Sequence, residues 1–237
     1  MVRNRRLIAE PKHFDLRGSP SRGILGATYT GRSIDVEGRY PAAKAWLENY
    51  ETSPVESTEL ENELLHSLLP AAPSTFASPV FRGRLLGSPP GSCEEFGPPQ
   101  TDQAPRGRYN APGVLALYLC STKQGVIREL EPLQPGKKLW IQQFRILPEL
   151  RMADARELGI GSLAAAVFWL IESVRDRSKY ARLGERVGQI VGARYDGLIV
   201  PGVRGEPNEL YWNAAIFRPE DRWLRFIDRS AQPQEVA

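Results

Sequence analysis

The chain has 237 residues, of which 41% are hydrophobic and 25% charged, and a net charge of +3. That length buries a sizeable core unaided and suits one large domain, or one domain with an extension. The chain is only mildly basic, and no dense basic run for nucleic acid interrupts it.

Residues 1–40 carry little periodicity and read as loops and an irregular arm. From Pro41 the pattern turns helical, with Ala45, Trp46 and Tyr50 at helical spacing. Ser57 and Thr58 before Glu59 and Glu61 resemble a capped helix start. Leu60, Leu64, Leu65, Leu68 and Leu69 follow on one face, and the helix stops before Pro70. Residues 73–79 form a connector. Val80 to Leu85 reads as a strand. The stretch 87–107 is rich in proline and glycine and reads as a long functional loop.

A strand is expected to end near Arg108, the chain turning at Asn110 to Gly113. A second strand, Leu115 to Cys120, carries Tyr118. Ser121 and Thr122 are natural N-caps for a short helix carrying Glu129. Lys138 to Arg145 alternates as a strand. Ser162 is placed to cap a helix running to about Lys179, with Leu163, Val167, Leu170, Ile171 and Val174 as its stripe, widened by Phe168 and Trp169. A further helix covers Arg182 to Gly192. Tyr195-Asp196-Gly197 signals a turn before a buried strand, Leu198 to Val200. Strands follow at Asn213 to Phe217 and Trp223 to Ile227, and the tail after Arg229 reads as polar and frayed. The fold class is α+β, a mixed or antiparallel sheet with packed helices. The division is an N-terminal helical extension, 1–78, and a main domain, 79–230.

The two histidines, His13 and His66, and the two cysteines, Cys93 and Cys120, lack metal-ligand company, so no metal site is expected. Two cysteines make no disulfide framework. There is no signal-peptide h-region at the start, and the apolar run Leu163 to Ile171 is too short to span a bilayer. A soluble cytoplasmic protein is the expectation. No P-loop or GxGxxG stands at a strand–helix junction. Catalysis would then fall to Arg, Glu, Tyr, Ser or Asn, a set suited to substrates with good leaving groups.

Arg108, Tyr118 and Glu129 are the first candidates, because a guanidinium, a phenol and a carboxylate on one pocket can hold a phosphate-bearing ligand and steady a positive charge on its sugar. The same pattern also fits a surface Arg108–Glu129 ion pair with Tyr118 in the core. Arg82, in an apolar strand, either faces solvent or serves a pocket. The segment Val200-Pro201-Gly202-Val203-Arg204 leaves a buried strand, where ligand contacts are common. Asn213 heads another strand, as a ligand contact or a local turn bond.

Phe81-Arg82, Gly107-Arg108-Tyr109-Asn110, Gly113, Leu117-Tyr118-Leu119 and Glu129 resemble the first block of the RES family. Tyr195 to Pro201, followed by Asn213 and Phe217, resembles its second. The resemblance covers about residues 79–219 and leaves the first 75 outside. It implies a fold similar to that of ADP-ribosylating enzymes, and an NAD-consuming toxin that splits the nicotinamide–ribose bond, with phosphate or water accepting the ribose. NAD is substrate, and no cofactor is implied. Arg108 and Arg82 would hold the phosphates, Tyr118 would meet the nicotinamide ribose, and Glu129 would steady the oxocarbenium-like centre. Asn110, Ser121, Gly202 and Asn213 complete the expected substrate contacts. Gly202 stands where the family has serine; Ser121 is a candidate substitute, and a binding protein without turnover is the alternative. The expected partner is a small helix-turn-helix antitoxin of the Xre type. The stripes at 57–69 and 162–179 fit either a core or a homodimer interface.

Overall fold

The computed structural model describes residues 58–158, 163–174, 176, 178–202, 204, 210–219, 225–226, 228 and 230–236. The expectations for residues 1–57, the Ser162 cap and most of the segment between Arg204 and Tyr211 lie outside them.

Eight strands form one mixed sheet among the described residues. They are β1 (Leu69–Pro70), β2 (Val80–Leu86), β3 (Ala116–Cys120), β4 (Lys138–Phe144), β5 (Met152–Asp154), β6 (Gly197–Pro201), β7 (Trp212–Phe217) and β8 (Gln234–Glu235). Their order across the sheet is β1-β5-β6-β7-β3-β2-β4-β8. Only β5 and β6 run parallel; every other pair is antiparallel. Among the described residues four α-helices accompany it: α1 (Thr58–Ser67), α2 (Lys123–Leu130), α3 (Leu163–Ser173) and α4 (Ala181–Arg194). The coarse α+β class therefore holds. None of these helices is long and apolar enough to cross a membrane.

Side-chain alternation sorts the strands between two layers. Leu198 and Val200 of β6 and Ala215 of β7 face α1, α3 and α4, where Leu64, Val167, Phe168, Ile171, Leu183 and Val187 close a core. Ile199 of β6, Leu117 and Leu119 of β3, and Trp212, Ala214 and Ile216 of β7 turn to the opposite side and pack with Val80, Phe96 and Phe144. A third cluster lies under α2 and holds Cys120, Val126, Leu139, Ile141 and Tyr211. Tyr118, between Leu117 and Leu119, consequently joins the helical side. That alternation sends its phenol toward the segment 107–110.

The described residues before 79 belong to this core. Leu64 and Leu68 of α1 are buried in it, and Leu69 and Pro70 pair with Asp154 and Ala153. Tyr195 Oη donates to Leu68 O at 3.0 Å, and Glu61 pairs with Arg186 of α4 at 3.1 Å.

Four expectations need correction. Arg108 does not end a strand; it sits in a bend whose conformation is set by side-chain bonds rather than a ladder. The helix from 163 stops at Ser173, not near Lys179, and Arg108 donates to the carbonyls of Ile171 and Val174 at that end. Residues 225–226 lie in a 3₁₀ turn, not a strand, with Phe226 buried among the second-layer residues. The tail is not wholly frayed: Gln234 and Glu235 pair with Ile141 and Trp140 of β4, and Lys138 meets Glu235 at 2.7 Å.

Candidate functional site

A cavity of about 250 Å³ opens between the sheet, the 104–110 segment, α2 and the end of α3. Arg82, Arg108, Asn110, Tyr118, Glu129 and Asn213 all line it. Of the eight expected site residues, Ser121 and Gly202 do not.

Two hydrogen-bonded groups build its walls. In the first, Arg108 reaches the C-terminal end of α3. Its Nη1 donates to Ile171 O, and its Nη2 donates to Val174 O at 2.9 Å. A cation is favourable there, where helix carbonyls lack partners and the dipole is negative. Arg108 Nε stands 3.7 Å from Glu172 Oε2, and Tyr109 Oη donates to Glu172 Oε1 at 2.5 Å. Glu172 is only 1% exposed. Burial raises its carboxyl above the usual range, opposed by the Arg108 charge. Burial first, then the Glu172 charge, pushes the Tyr109 phenol well above its ordinary value.

Asn110 organises the turn. Its Nδ2 donates to Pro105 O, Ala111 O and Val114 O at 3.1, 3.1 and 2.8 Å. Its Oδ1 accepts from Tyr118 Oη at 2.7 Å, and Tyr118 Oη accepts from Tyr109 N at 3.0 Å. Asn110 thus holds the loop that presents Arg108, and Tyr118 holds Asn110.

Glu129 anchors the second group. Thr122 caps α2, its hydroxyl accepting from Gly125 N at 2.9 Å, and the helix carries Glu129 in its last turn. Glu129 Oε1 accepts from Tyr211 Oη and from Asn213 Nδ2, each at 2.9 Å. Its Oε2 lies 3.4 Å from Arg204 Nε. Arg204 Nη1 donates to Glu129 O and Nη2 to Val174 O, both at 3.3 Å. A direct Arg108–Glu129 surface pair is therefore not how these residues act: Arg108 pairs with Glu172, and Glu129 with Arg204.

Arg82 belongs to neither group, although Arg204 Nε likewise lacks a hydrogen-bond partner. Arg82 Nη1 is shut off from water with no hydrogen-bond partner. Burial, helped by the Arg84 charge, lowers its guanidinium to about 9, which leaves it cationic at neutral pH. A buried donor without an acceptor costs about 1–3 kcal/mol. Cys120 also lines the cavity, and burial pushes its thiol up to about 12, so it is no nucleophile near neutral pH.

Ser121 does different work. Its Oγ accepts from Trp212 N at 2.8 Å, locking the end of β3 to β7. At Gly202 an added Cβ would fall 2.1 Å from the Tyr211 ring, so a serine there would displace that ring.

Glu172, Arg204, Tyr211 and Tyr109 were missed as site residues. A lone carboxylate after the apolar run 163–171 was the available signal for Glu172. Arg204 was signalled only as the end of the segment leaving the β6 strand, and Tyr211 gave no signal, because both meet Glu129 through the pairing of β6 with β7.

Glu172 has a pH consequence. Its folded carboxyl is raised, so the native state binds this proton more tightly than the unfolded chain, whose value is near 4.3. Stability should therefore fall as pH rises from about 4.3 through the folded value, then level off. Denaturant melts of Glu172→Gln should lack that slope, whereas wild-type melts keep it.

Neither a scan against protein-family models nor a search of curated proteins found a match to this chain.

Proposed function

We propose that this protein consumes NAD, breaking the bond between nicotinamide and ribose, with phosphate or water taking the ribose. The supporting observation is that Arg82, Arg108, Tyr118, Glu129 and Asn213 share one cavity, with an unsatisfied cation and a braced carboxylate both bordering it. The RES resemblance supplies the reaction class, and the α+β sheet is the coarse class that the resemblance implies.

The chemistry follows from those groups. As the glycosidic bond breaks, its electron pair goes to the pyridinium nitrogen and nicotinamide departs neutral. Positive charge develops at the ribose anomeric carbon. A carboxylate already held by two donors and facing an arginine stabilises that charge without reorganising. Arg82 takes a phosphate oxygen, and the two Arg108 N–H groups left over from α3 are available to another. At about 250 Å³ the cavity is near the lower end of small-molecule sites, roughly 300–1,000 Å³, and suits the nicotinamide–ribose end with the rest of the ligand outside.

The reading extends to a cytoplasmic toxin whose cavity a small helix-turn-helix antitoxin of the Xre type covers. A second reading is favoured by Gly202, where the Tyr211 ring fills the space a serine would need: a protein that binds NAD or a partner without turnover. Incubation with NAD, with and without phosphate, followed by product mass, decides. Free nicotinamide is expected, together with ADP-ribose when water is the acceptor or ADP-ribose phosphorylated at its anomeric carbon when phosphate is. Calorimetric binding with no nicotinamide released would establish the second reading.

A further inference from the structure

We infer that Tyr211 is the positioning residue of this site, its phenol aiming the Glu129 carboxylate from a slot that two glycines leave open; the inference rests on the NAD-cleaving reading above. Tyr211 stands opposite Gly202 at the open end of the β6–β7 hairpin, and Gly202 N donates to Tyr211 O at 2.8 Å. Its ring is folded back over the strand end. A Cβ on Gly202 would lie 2.1 Å from that ring, and one on Gly125 of α2 would lie 2.5 Å from it. Both distances are far inside any tolerated contact, so only glycine at these two places lets the ring sit there.

The slot gives the hydroxyl a defined destination. Tyr211 is 2% exposed, its Oη donates to Glu129 Oε1 at 2.9 Å, and it accepts from Arg204 N at 3.1 Å. Asn213 donates to the same carboxylate oxygen. Two donors on Oε1 fix the plane of the carboxylate and leave Oε2 turned toward Arg204. Tyr211 does not itself line the cavity, so it acts through Glu129 rather than on the substrate. Where the RES resemblance leads one to expect a serine hydroxyl at position 202, the hydroxyl serving this carboxylate comes from across the hairpin.

Tyr211→Phe keeps the ring in its slot and removes only the hydroxyl. Its kcat for NAD cleavage should fall about 10–100-fold, the loss expected for one hydrogen bond to a charged group. KM should stay within about twofold, since the lost contact matters to the transition state rather than to binding. A purely structural role would not divide the two constants in that way. Wild-type kcat in Tyr211→Phe would overturn the inference. Should the wild type leave NAD intact, the NAD reading fails, and a crystal structure of the same variant still decides the positioning role. The Glu129 carboxylate is expected to leave Asn213 in that structure, and its retention at the wild-type distance would overturn the inference.

Discussion

Glu129→Gln is expected to slow NAD cleavage by about 10²–10³-fold with little change in NAD affinity. The magnitude follows comparison with the loss of a preorganised group facing transition-state charge. Glutamine retains an acceptor for Tyr211 and Asn213, so the shape of the site survives. What disappears is the negative charge near the developing cation. The substitution also strips Arg204 of its counter-ion, and its side chain is only 9% exposed. Some stability is therefore lost as well, although carbonyl bonds to Glu129 O and Val174 O remain. Rates should be measured well below the melting onset, with affinity measured separately by calorimetry. The competing carboxylate is Glu172, which is buried and already paired with Tyr109 and Arg108. If Glu172→Gln stopped turnover while Glu129→Gln did not, the assignment of the catalytic carboxylate would be reversed.

Gly188→Ala should destabilise the fold and disorganise the cavity together, despite improving helix propensity. Gly184 and Gly188 stand one turn apart on α4, and both face the backbone that carries Arg108 and Tyr109. A Cβ on Gly184 would lie 1.9 Å from Arg108 O, and one on Gly188 would lie 1.9 Å from Tyr109 O. A carbonyl cannot rotate aside as a side-chain tip can, so the helix or the 107–110 segment must move. Replacing an interior helical glycine by alanine gains about 1 kcal/mol in an unhindered site. Overpacking costs about 1–3 kcal/mol and here acts on backbone, so the clash prevails. For a chain of this size each kcal/mol lowers the melting temperature by about 2–4 °C. Gly192 is the internal control, because its nearest foreign atom would be 3.4 Å away, on Phe217. Gly192→Ala should be neutral or stabilising in the same thermal melts. Equal destabilisation at 188 and 192 would show that the close approach to Tyr109 is not what the glycine serves.

The contrast between these residues shows what could be read in advance. Strands β2, β3, β4, β6 and β7 announced themselves by apolar alternation or short β-branched runs, and each falls within two residues of its expected bounds. The co-location of Arg108, Tyr118 and Glu129 was legible because they lie within one short β–α segment. Their partners were not. Glu172 lies on α3, and Arg204 and Tyr211 flank a hairpin, so only tertiary packing brings them to Arg108 and Glu129. Arg108 was misassigned to a strand because its bend is stabilised by Asn110 and Tyr118 side chains, which no periodicity records. Asn110, expected as a substrate contact, does border the cavity, and its commitment to three carbonyls and a phenol was not legible in the sequence. The strand at Gln234–Glu235 escaped notice because two exposed polar residues pairing with an edge carry no hydrophobic signature.

The carbonyl of Val174 receives both Arg108 Nη2 and Arg204 Nη2. Two limbs of the molecule, one preceding β3 and one following β6, are thereby moored to the same post. A shift of the α3 terminus would drag both guanidinium groups in concert, so the mouth of the cleft would widen or narrow as a unit rather than one wall at a time.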